Sequence, residues 1–292
     1  MNKLTKSGLV SVVIPTFNRE KTILHAIRSV VDQDYKNIEV LVCDDFSKDD
    51  TAKKVLDYAK NHDNVKYLVR NDGKKGAQWA RNNGIEHASG EFIAFLDSDD
   101  ELLPGSIAIR VSAFETDQNL DMVYGDVDVD GKTFHYDDIK NEDQNLYLMQ
   151  ELSLCCFITI MVRKKVFEKI PLLDTELRSW QDDNLVLNLN KYGMKMHHCG
   201  VSVANICRVD DSISTNYWNR FYGLKRIIEL YKKDIIHGTS YFRLFLWQLR
   251  LLDNRIMAMN STQENKFISC VFFVFHKVIY KVCGCFFRHI WG

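Results

Sequence analysis

From Leu9 to Leu96 the chain alternates between unbroken apolar runs and stretches whose apolar residues recur at helical spacing. Leu9-Val-Ser-Val-Val-Ile14, closed by Pro15, reads as a strand buried on both faces. Ile38-Glu-Val-Leu-Val-Cys43, Val65–Val69 and Glu91-Phe-Ile-Ala-Phe-Leu96 read as three further strands. Between them, Ile23, Leu24, Ile27, Val30 and Val31 mark one helix face, and Ala52, Val55, Leu56 and Ala59 mark a second, with Ser47 as its candidate cap. Gly76–Ala88 is a third helical stretch. Strand and helix alternating over short connections predict βαβ units on a parallel sheet with right-handed crossovers.

Beyond Pro104 the pattern is looser. A helix is expected to about Glu115, a strand and turn over Asp121–Gly131, a strand over Cys155–Val162, and a short helix to Glu168. Asp182–Tyr192 reads as an amphipathic helix carrying Leu185, Leu187 and Leu189. Met194–Cys199 and Val201–Cys207 read as strands of a mixed sheet, and the chain turns helical and aromatic from Trp218. The fold class expected is α/β: a mostly parallel, Rossmann-like sheet flanked by helices, with a helical C-terminal tail.

The 292 residues are 46% hydrophobic and 26% charged, with only three prolines, as in an ordinary globular protein of one large or two small domains. The net charge of −1 excludes a globally basic nucleic-acid binder. It conceals a split. Residues 212–292 hold 12 Lys and Arg against 4 Asp and Glu, and the remainder holds 26 against 35. Eight cysteines follow a polar Met1–Gly8 and an apolar run too short for a signal peptide, which predicts a reduced, cytosolic chain with buried thiols. Cys283-Gly-Cys285 has no second pair at zinc-ligand spacing.

In a parallel sheet the site lies beyond the carboxyl ends of the strands. The polar clusters there are Thr16–Arg19, Asp44 and Asp45, Asn71 and Asp72, and Asp97–Asp100. Two carboxylates one residue apart, Asp97 and Asp99, can reach one hard divalent cation; the same tripeptide also suits a turn or helix start. Asp44 and Asp45 can accept from an imide N–H or a ribose hydroxyl, or can serve the following loop and helix. Neither a Gly-x-Gly-x-x-Gly nor a P-loop pattern is present, so ordinary dinucleotide and P-loop readings lose support.

Four motifs stand in order: Val12-Val-Ile-Pro-Thr-Phe-Asn-Arg19, Val42-Cys-Asp-Asp-Phe-Ser-Lys-Asp-Asp-Thr51, Gly76-Ala-Gln-Trp-Ala-Arg-Asn-Asn-Gly-Ile85 and Gly90-Glu-Phe-Ile-Ala-Phe-Leu-Asp-Ser-Asp-Asp100. Together they resemble glycosyltransferase family 2, inverting enzymes of GT-A fold. The resemblance covers Ser11 to about Glu115, continues more weakly to about Ser214, and leaves the tail aside. It implies a catalytic domain over 1–211, with a nucleotide-sugar half (9–115) and an acceptor half (116–211), and a separate C-terminal region over 212–292.

The resemblance also implies roles. Pro15, Thr16 and Asn18 would line the donor site; the Pro15 backbone and Asp45 would hold the uracil, with Asp44 beside it. Asn71 and Arg81 would lie near the nucleotide and diphosphate, Asp97 would face the ribose and sugar, Ser98 would belong to the donor site, and Asp99, with Asp97, would bind Mn²⁺ or Mg²⁺. Trp180-Gln-Asp-Asp-Asn-Leu-Val-Leu187 resembles the segment that supplies the family's general base; Gln181 replaces its usual Glu and Asp182 takes the base position, with adjacent Asp183 as rival. An Asp at a helix start is expected to be a stabilised carboxylate. Arg208-Val-Asp-Asp-Ser212 departs from the family's Arg-x-His-x-x-Ser and sets Asp210 in the His place, as a further metal candidate.

The implied function is a metal-dependent inverting transfer from a UDP-sugar to a saccharide hydroxyl, lipid-linked, in capsule, O-antigen or similar polysaccharide assembly. The competing readings are a silent nucleotide-sugar-binding or scaffold subunit and a nucleotidyltransferase, which would need a glycine-rich loop that Pro15–Arg19 lacks. The aromatic, basic stretches 241–252 and 267–282 are too interrupted for a spanning helix of about 18 apolar residues. They suit either an interfacial helix at the inner face of the membrane or packing on the catalytic domain or a second copy in a homo-oligomer. No RNA-binding motif accompanies them, so nucleic acid is not among the expected partners.

Overall fold

The unbroken apolar runs become the centre of one sheet. The structure is a computed structural model and describes residues 6–136, 155–207 and 216–238. Strand β1 (Lys6–Thr16) pairs in parallel with β2 (Ile38–Asp44) on one side and β4 (Gly90–Phe95) on the other, and β3 (Val65–Val69) pairs in parallel with β2 at the edge. Helices α1 (Ile23–Val31), α2 (Thr51–Ala59) and α3 (Ala77–His87) connect them. This is the βαβ alternation that the sequence pattern predicts.

The second half is mixed. The polypeptide continues through β5 (Glu101–Leu102), α4 (Ser106–Thr116), β6 (Met122–Val129), β7 (Lys132–Phe134), β8 (Met161–Arg163), α5 (Gln181–Lys191), β9 (Met196–Ile206) and α6 (Tyr217–Gly238). The sheet order is β3-β2-β1-β4-β8-β6-β9-β5, with β7 on β6. Strand β8 runs antiparallel between β4 and β6, while β9 is parallel to β6. Strands β1, β2, β3, β4, β6 and β9 therefore point the same way and bring their carboxyl ends to one rim.

Three sequence expectations change in detail. Cys155–Val162 is not one strand: Phe157–Thr159 forms a 3-10 turn before the three-residue β8. The two strands expected over 194–207 are one, β9, which passes through Gly200 at φ 76° with irregular register opposite Tyr124–Asp126. Ser47 does not cap α2; its N–H and hydroxyl both donate to Asp44 Oδ1, and the helix turns Thr51 and Val55 inward while Leu56 is exposed.

Helix α1 buries Ile23, Ala26, Ile27 and Val30, the i, i+3, i+4, i+7 stripe. Helix α3 instead buries Gln78, Arg81, Asn82 and Asn83. Asn82 uses its amide as a substitute backbone, donating to Leu173 O (2.9 Å) and accepting from Leu173 N (3.0 Å). At Gly84 this helix lies so close to the sheet that an added Cβ would collide with both methyls of Val13 and stand 3.0 Å from Cys43 Sγ. Both neighbours are fully buried. The Gly84→Ala protein is accordingly expected to lose about 1–3 kcal/mol of stability through overpacking, seen as a Tm several degrees lower in thermal unfolding.

Buried polar groups pin the second half of the sheet and the helix packed on it. Arg110 is fully enclosed and donates to Ser106 O, Ser106 Oγ and Thr159 O; burial lowers its guanidinium to about 10. Asp126 accepts from His198 Nε2 (2.9 Å), His135 Nδ1 (2.8 Å) and Tyr136 N (2.9 Å).

The chain divides into two compact units. One comprises Met1–Gln144, Glu151–Glu176 and Gln181–Asp210, and contains the sheet. The other comprises Asn145–Gln150, Leu177–Trp180 and Asp211–Gly292. Within the second, Trp180 Nε1 donates to Arg220 O of α6, and Gly223 gives the helix its close approach to Ser179. Among the described residues no helix is long and apolar enough to cross a membrane. Asp210 and the aromatic, basic stretches 241–252 and 267–282 lie outside the described residues.

Candidate active site

The common rim is built from the loops that follow β1, β2, β3 and β4. At β1, Pro15 and Thr16 are buried, and Thr16 O accepts the N–H of Asp45 (2.8 Å), locking two loops together. Asn18 sits at φ 51°, a conformation Asn tolerates better than most residues. It ties the same loops: its N–H donates to Ser47 Oγ and its Oδ1 accepts from Lys48 N, both at 2.8 Å.

The two acids after β2 divide their work. Asp44 is buried; Oδ1 accepts from Ser47 twice and Oδ2 accepts the Tyr67 hydroxyl. Both oxygens are thereby committed to shaping the rim. Asp45 is partly exposed and its Oδ2 accepts the N–H of Gly76 at 2.8 Å. Burial, and then the charge of Asp44, raise the Asp45 carboxyl. Gly76, at φ 124°, takes a backbone conformation closed to other residues and lets its N–H face Asp45. Asn71 is exposed in the loop after β3, where Arg70 and Lys74 stand over the Trp79 ring at 4.9 and 4.3 Å.

The acid loop after β4 is the most charged part of the rim. Asp97 Oδ1 accepts from Arg81 Nη2 at 2.6 Å. Ser98 is buried, and Asp99 Oδ2 lies 3.5 Å from Arg19 Nη2. Burial, and then Asp97, raise the Asp99 carboxyl. Asp100 accepts the N–H of Cys207 at 2.9 Å, which fastens the loop to the end of β9; burial and then Asp97 push it up to about 8. Asp97 and Asp99 thus concentrate negative charge that Arg19 and Arg81 offset only in part. Two oxygen donors in that state fit a hard divalent cation of the Mg²⁺ or Mn²⁺ class.

Arg81 joins this loop to the helix that carries the candidate base. Its guanidinium is buried, lies 4.3 Å from the Phe157 ring centre, and donates through Nη1 to Gln78 Oε1 (3.1 Å) and Gln181 Oε1 (2.9 Å). Gln181, standing where the family motif has Glu, is the first residue of α5. Asp182 follows in the first turn, inside the helix and not at its cap. It is partly buried, whereas Asp183 is buried. Burial, followed by the Asp183 charge, pushes the Asp182 carboxyl up to about 7. That overturns the expectation of an ordinary, helix-stabilised carboxylate: desolvation exceeds the favourable helix-end field.

Three buried polar atoms along this rim have no hydrogen-bond partner: Thr16 Oγ1, Gln78 Nε2 and Arg81 Nε. Buried polar groups are ordinarily paired, so atoms left without a partner on these elements are consistent with a site that receives polar atoms. Four side chains escaped the sequence reading. Tyr67 holds Asp44, Phe157 flanks Arg81, Gln78 braces Arg81, and Arg19 reaches Asp99. Of these only Arg19 carried a signal, as the last residue of the polar cluster after β1.

The model of glycosyl transferase family 2 matches residues 11–171, which holds β1 through the turn after β8. The chain belongs to glycosyl transferase family 2. Among curated family relatives, a GalNAc(5)-diNAcBac-PP-undecaprenol beta-1,3-glucosyltransferase of Campylobacter jejuni is 46% identical over 99 residues, covering 34% of this chain and 32% of the relative. The UDP-Glc:alpha-D-GlcNAc-diphosphoundecaprenol beta-1,3-glucosyltransferase WfgD of Escherichia coli is 42% identical over 121 residues, covering 41% and 46%. The match therefore spans a third to a half of the length of these two relatives. Among solved structures, mannosyltransferase PcManGT of Pyrobaculum calidifontis, in complex with GDP-Man and Mn²⁺, superposes with a TM-score of 0.61 at 16% identity, covering 93% and 80%. TarS 1–349 of S. aureus, in complex with UDP-GlcNAc, gives 0.59 at 22%, covering 75% and 66%. The fold is the GT-A architecture implied by the family motifs.

Proposed function

We propose that this family 2 member is a metal-dependent, inverting glycosyltransferase that moves a sugar from a UDP-sugar to a hydroxyl of a saccharide carried on a lipid diphosphate. The observation that carries the reading is the Arg81 bridge: one buried guanidinium holds Asp97 of the acid loop and Gln181 beside the candidate base. Donor-side charge and acceptor-side base are thereby set in one frame. A silent binding subunit would have no need of that coupling.

Inversion proceeds in one displacement. The acceptor oxygen bonds to the anomeric carbon as the bond from that carbon to the diphosphate oxygen breaks. The hydroxyl proton passes to the Asp182 carboxylate, and the electron pair leaves with UDP. Asp45 and the Pro15–Thr16 backbone receive the uracil. Asp97 and Asp99 would hold Mn²⁺ or Mg²⁺, which supplies electrostatic stabilisation of the departing diphosphate. Arg81 and Arg19 add fixed positive charge beside it. An α-linked donor then yields a β-linkage.

The names of the relatives supply the substrates to try first: UDP-glucose and a GlcNAc-diphospholipid. We assign 1–211 to catalysis and 212–292, with its excess of basic and aromatic residues, to contact with the cytoplasmic membrane face where such an acceptor resides. Calorimetry of the full chain against UDP-glucose, UDP-galactose and UDP-N-acetylglucosamine, with and without Mn²⁺, tests the reading. One UDP-sugar is expected to bind, at least tenfold more weakly without Mn²⁺ or in the Asp99→Asn protein. Failure of every UDP-sugar to bind, or binding indifferent to both changes, would overturn it.

A further inference from the structure

Outside the hard-oxygen pair a second group of donors converges. His25 Nε2 of α1 lies 2.7 Å from Glu101 Oε2 of β5, and with Cys207 Sγ, just past β9, the three donor atoms all fall within 4.8 Å of one another. They come from α1, β5 and the residue after β9, and β5 and β9 pair antiparallel with Glu101 opposite Asn205. Asn205 Nδ2 donates to Glu101 Oε1 at 2.8 Å and faces Cys207 Sγ at 3.8 Å. One oxygen of Glu101 is thus held by Asn205 and the other is left aimed at the ring. Orientation of ligands by a neighbouring amide is what metal sites require of their surroundings.

We propose that His25, Glu101 and Cys207 form a binding site for a zinc-class transition metal, separate from the cation site at Asp97 and Asp99. One imidazole nitrogen, one carboxylate oxygen and one thiolate sulfur make a borderline-soft set. Zn²⁺ accepts that set and Mg²⁺ does not. Bond lengths of about 2.0–2.3 Å place tetrahedral ligand atoms roughly 3.3–3.8 Å apart, wider than the 2.7 Å between His25 and Glu101 and inside the 4.8 Å that bounds all three donors. Three protein ligands leave a fourth position for water. His25 is well exposed, so the ion has a path in from solvent. Burial, and then the charge of Glu101, raise the Cys207 thiol, and metal binding draws on its thiolate form. The bound ion would clip α1 and β5 to the end of β9, immediately behind the acid loop that Asp100 already fastens to Cys207 N.

The test does not depend on sugar transfer. Tag-free, reduced, chelator-stripped protein is titrated with Co²⁺ and then Zn²⁺. One equivalent of Co²⁺ is expected to give a thiolate-to-cobalt absorption band that Zn²⁺ abolishes. The band is expected to disappear in Cys207→Ser. It is expected to need at least about tenfold more Co²⁺ in His25→Ala, whose exposed helical position leaves the fold intact. It is expected to persist in Asp97→Asn/Asp99→Asn, which removes the other cation site. A band that survives Cys207→Ser, a His25→Ala protein that binds as tightly as the original, loss of the band with the two aspartates, or no band at all would each overturn the proposal.

Discussion

Asp182→Asn is expected to bind a UDP-sugar with Mn²⁺ as the unaltered protein does, and to transfer about 10²–10⁴-fold more slowly, the usual contribution of a positioned general base. The substitution keeps shape and hydrogen-bonding capacity but removes the proton acceptor. The raised carboxyl gives a second, independent readout. A base works only when deprotonated, so activity should climb with pH as the Asp182 carboxylate forms and level off above about 7. Because Asp183 is adjacent and charged, that limb reports the pair and not one carboxyl alone. In Asp182→Asn the limb should vanish along with the rate. Full transfer would move the base elsewhere. Asp183 is the weaker choice, since it is more deeply buried than Asp182.

Much of this frame is legible in the chain, for physical reasons. Strands buried on both faces, as β1, β2 and β4 are, must be mostly apolar, with a buried polar pair such as Ser11 and Glu39 hydrogen-bonded to each other, so Leu9–Ile14 and Glu91–Leu96 announce themselves. Acids following such runs have nowhere to go but the rim. What is not legible depends on partners distant in sequence. The apolar run Cys155–Val162 cannot declare from its own composition that Phe157 turns out of line against Phe95 and Arg81. Arg110 on α4 is enclosed and held by Ser106 and by Thr159, 49 positions away, which the local sequence around it cannot show. His25 and Glu101 stand 76 positions apart, and Asn205 and Glu101 stand 104 apart. The state of Asp182 follows the same rule: a helix start suggests a low pKa, and burial against Asp183 reverses the sign.

Arg81→Lys is expected to fail nearly as badly as removal of the side chain. Arginine meets three partners at once, Gln78 and Gln181 through Nη1 and Asp97 through Nη2, and lays its flat face on Phe157. A lysine ammonium is a compact point charge. It can satisfy Asp97 or Gln181 but cannot span both with the planar fork that holds them in register. The acid loop and the start of α5 would then be free to shift, and a small misplacement of a catalytic group costs about 10²-fold in rate. Loss of positive charge beside the leaving diphosphate adds a comparable factor where the side chain is removed outright. Donor affinity should fall less than the rate, since Asp45, Thr16 and the Asp97–Asp99 pair remain. The pH profile separates this from simple misfolding. Arg81 is one of the influences that lower the Asp182 carboxyl, so in Arg81→Met the acid limb should move to higher pH while the folded protein retains its thermal transition. A limb that stays in place, with transfer lost, would mean that Arg81 serves the donor alone and that the bridge to Gln181 does not couple the two halves of the site.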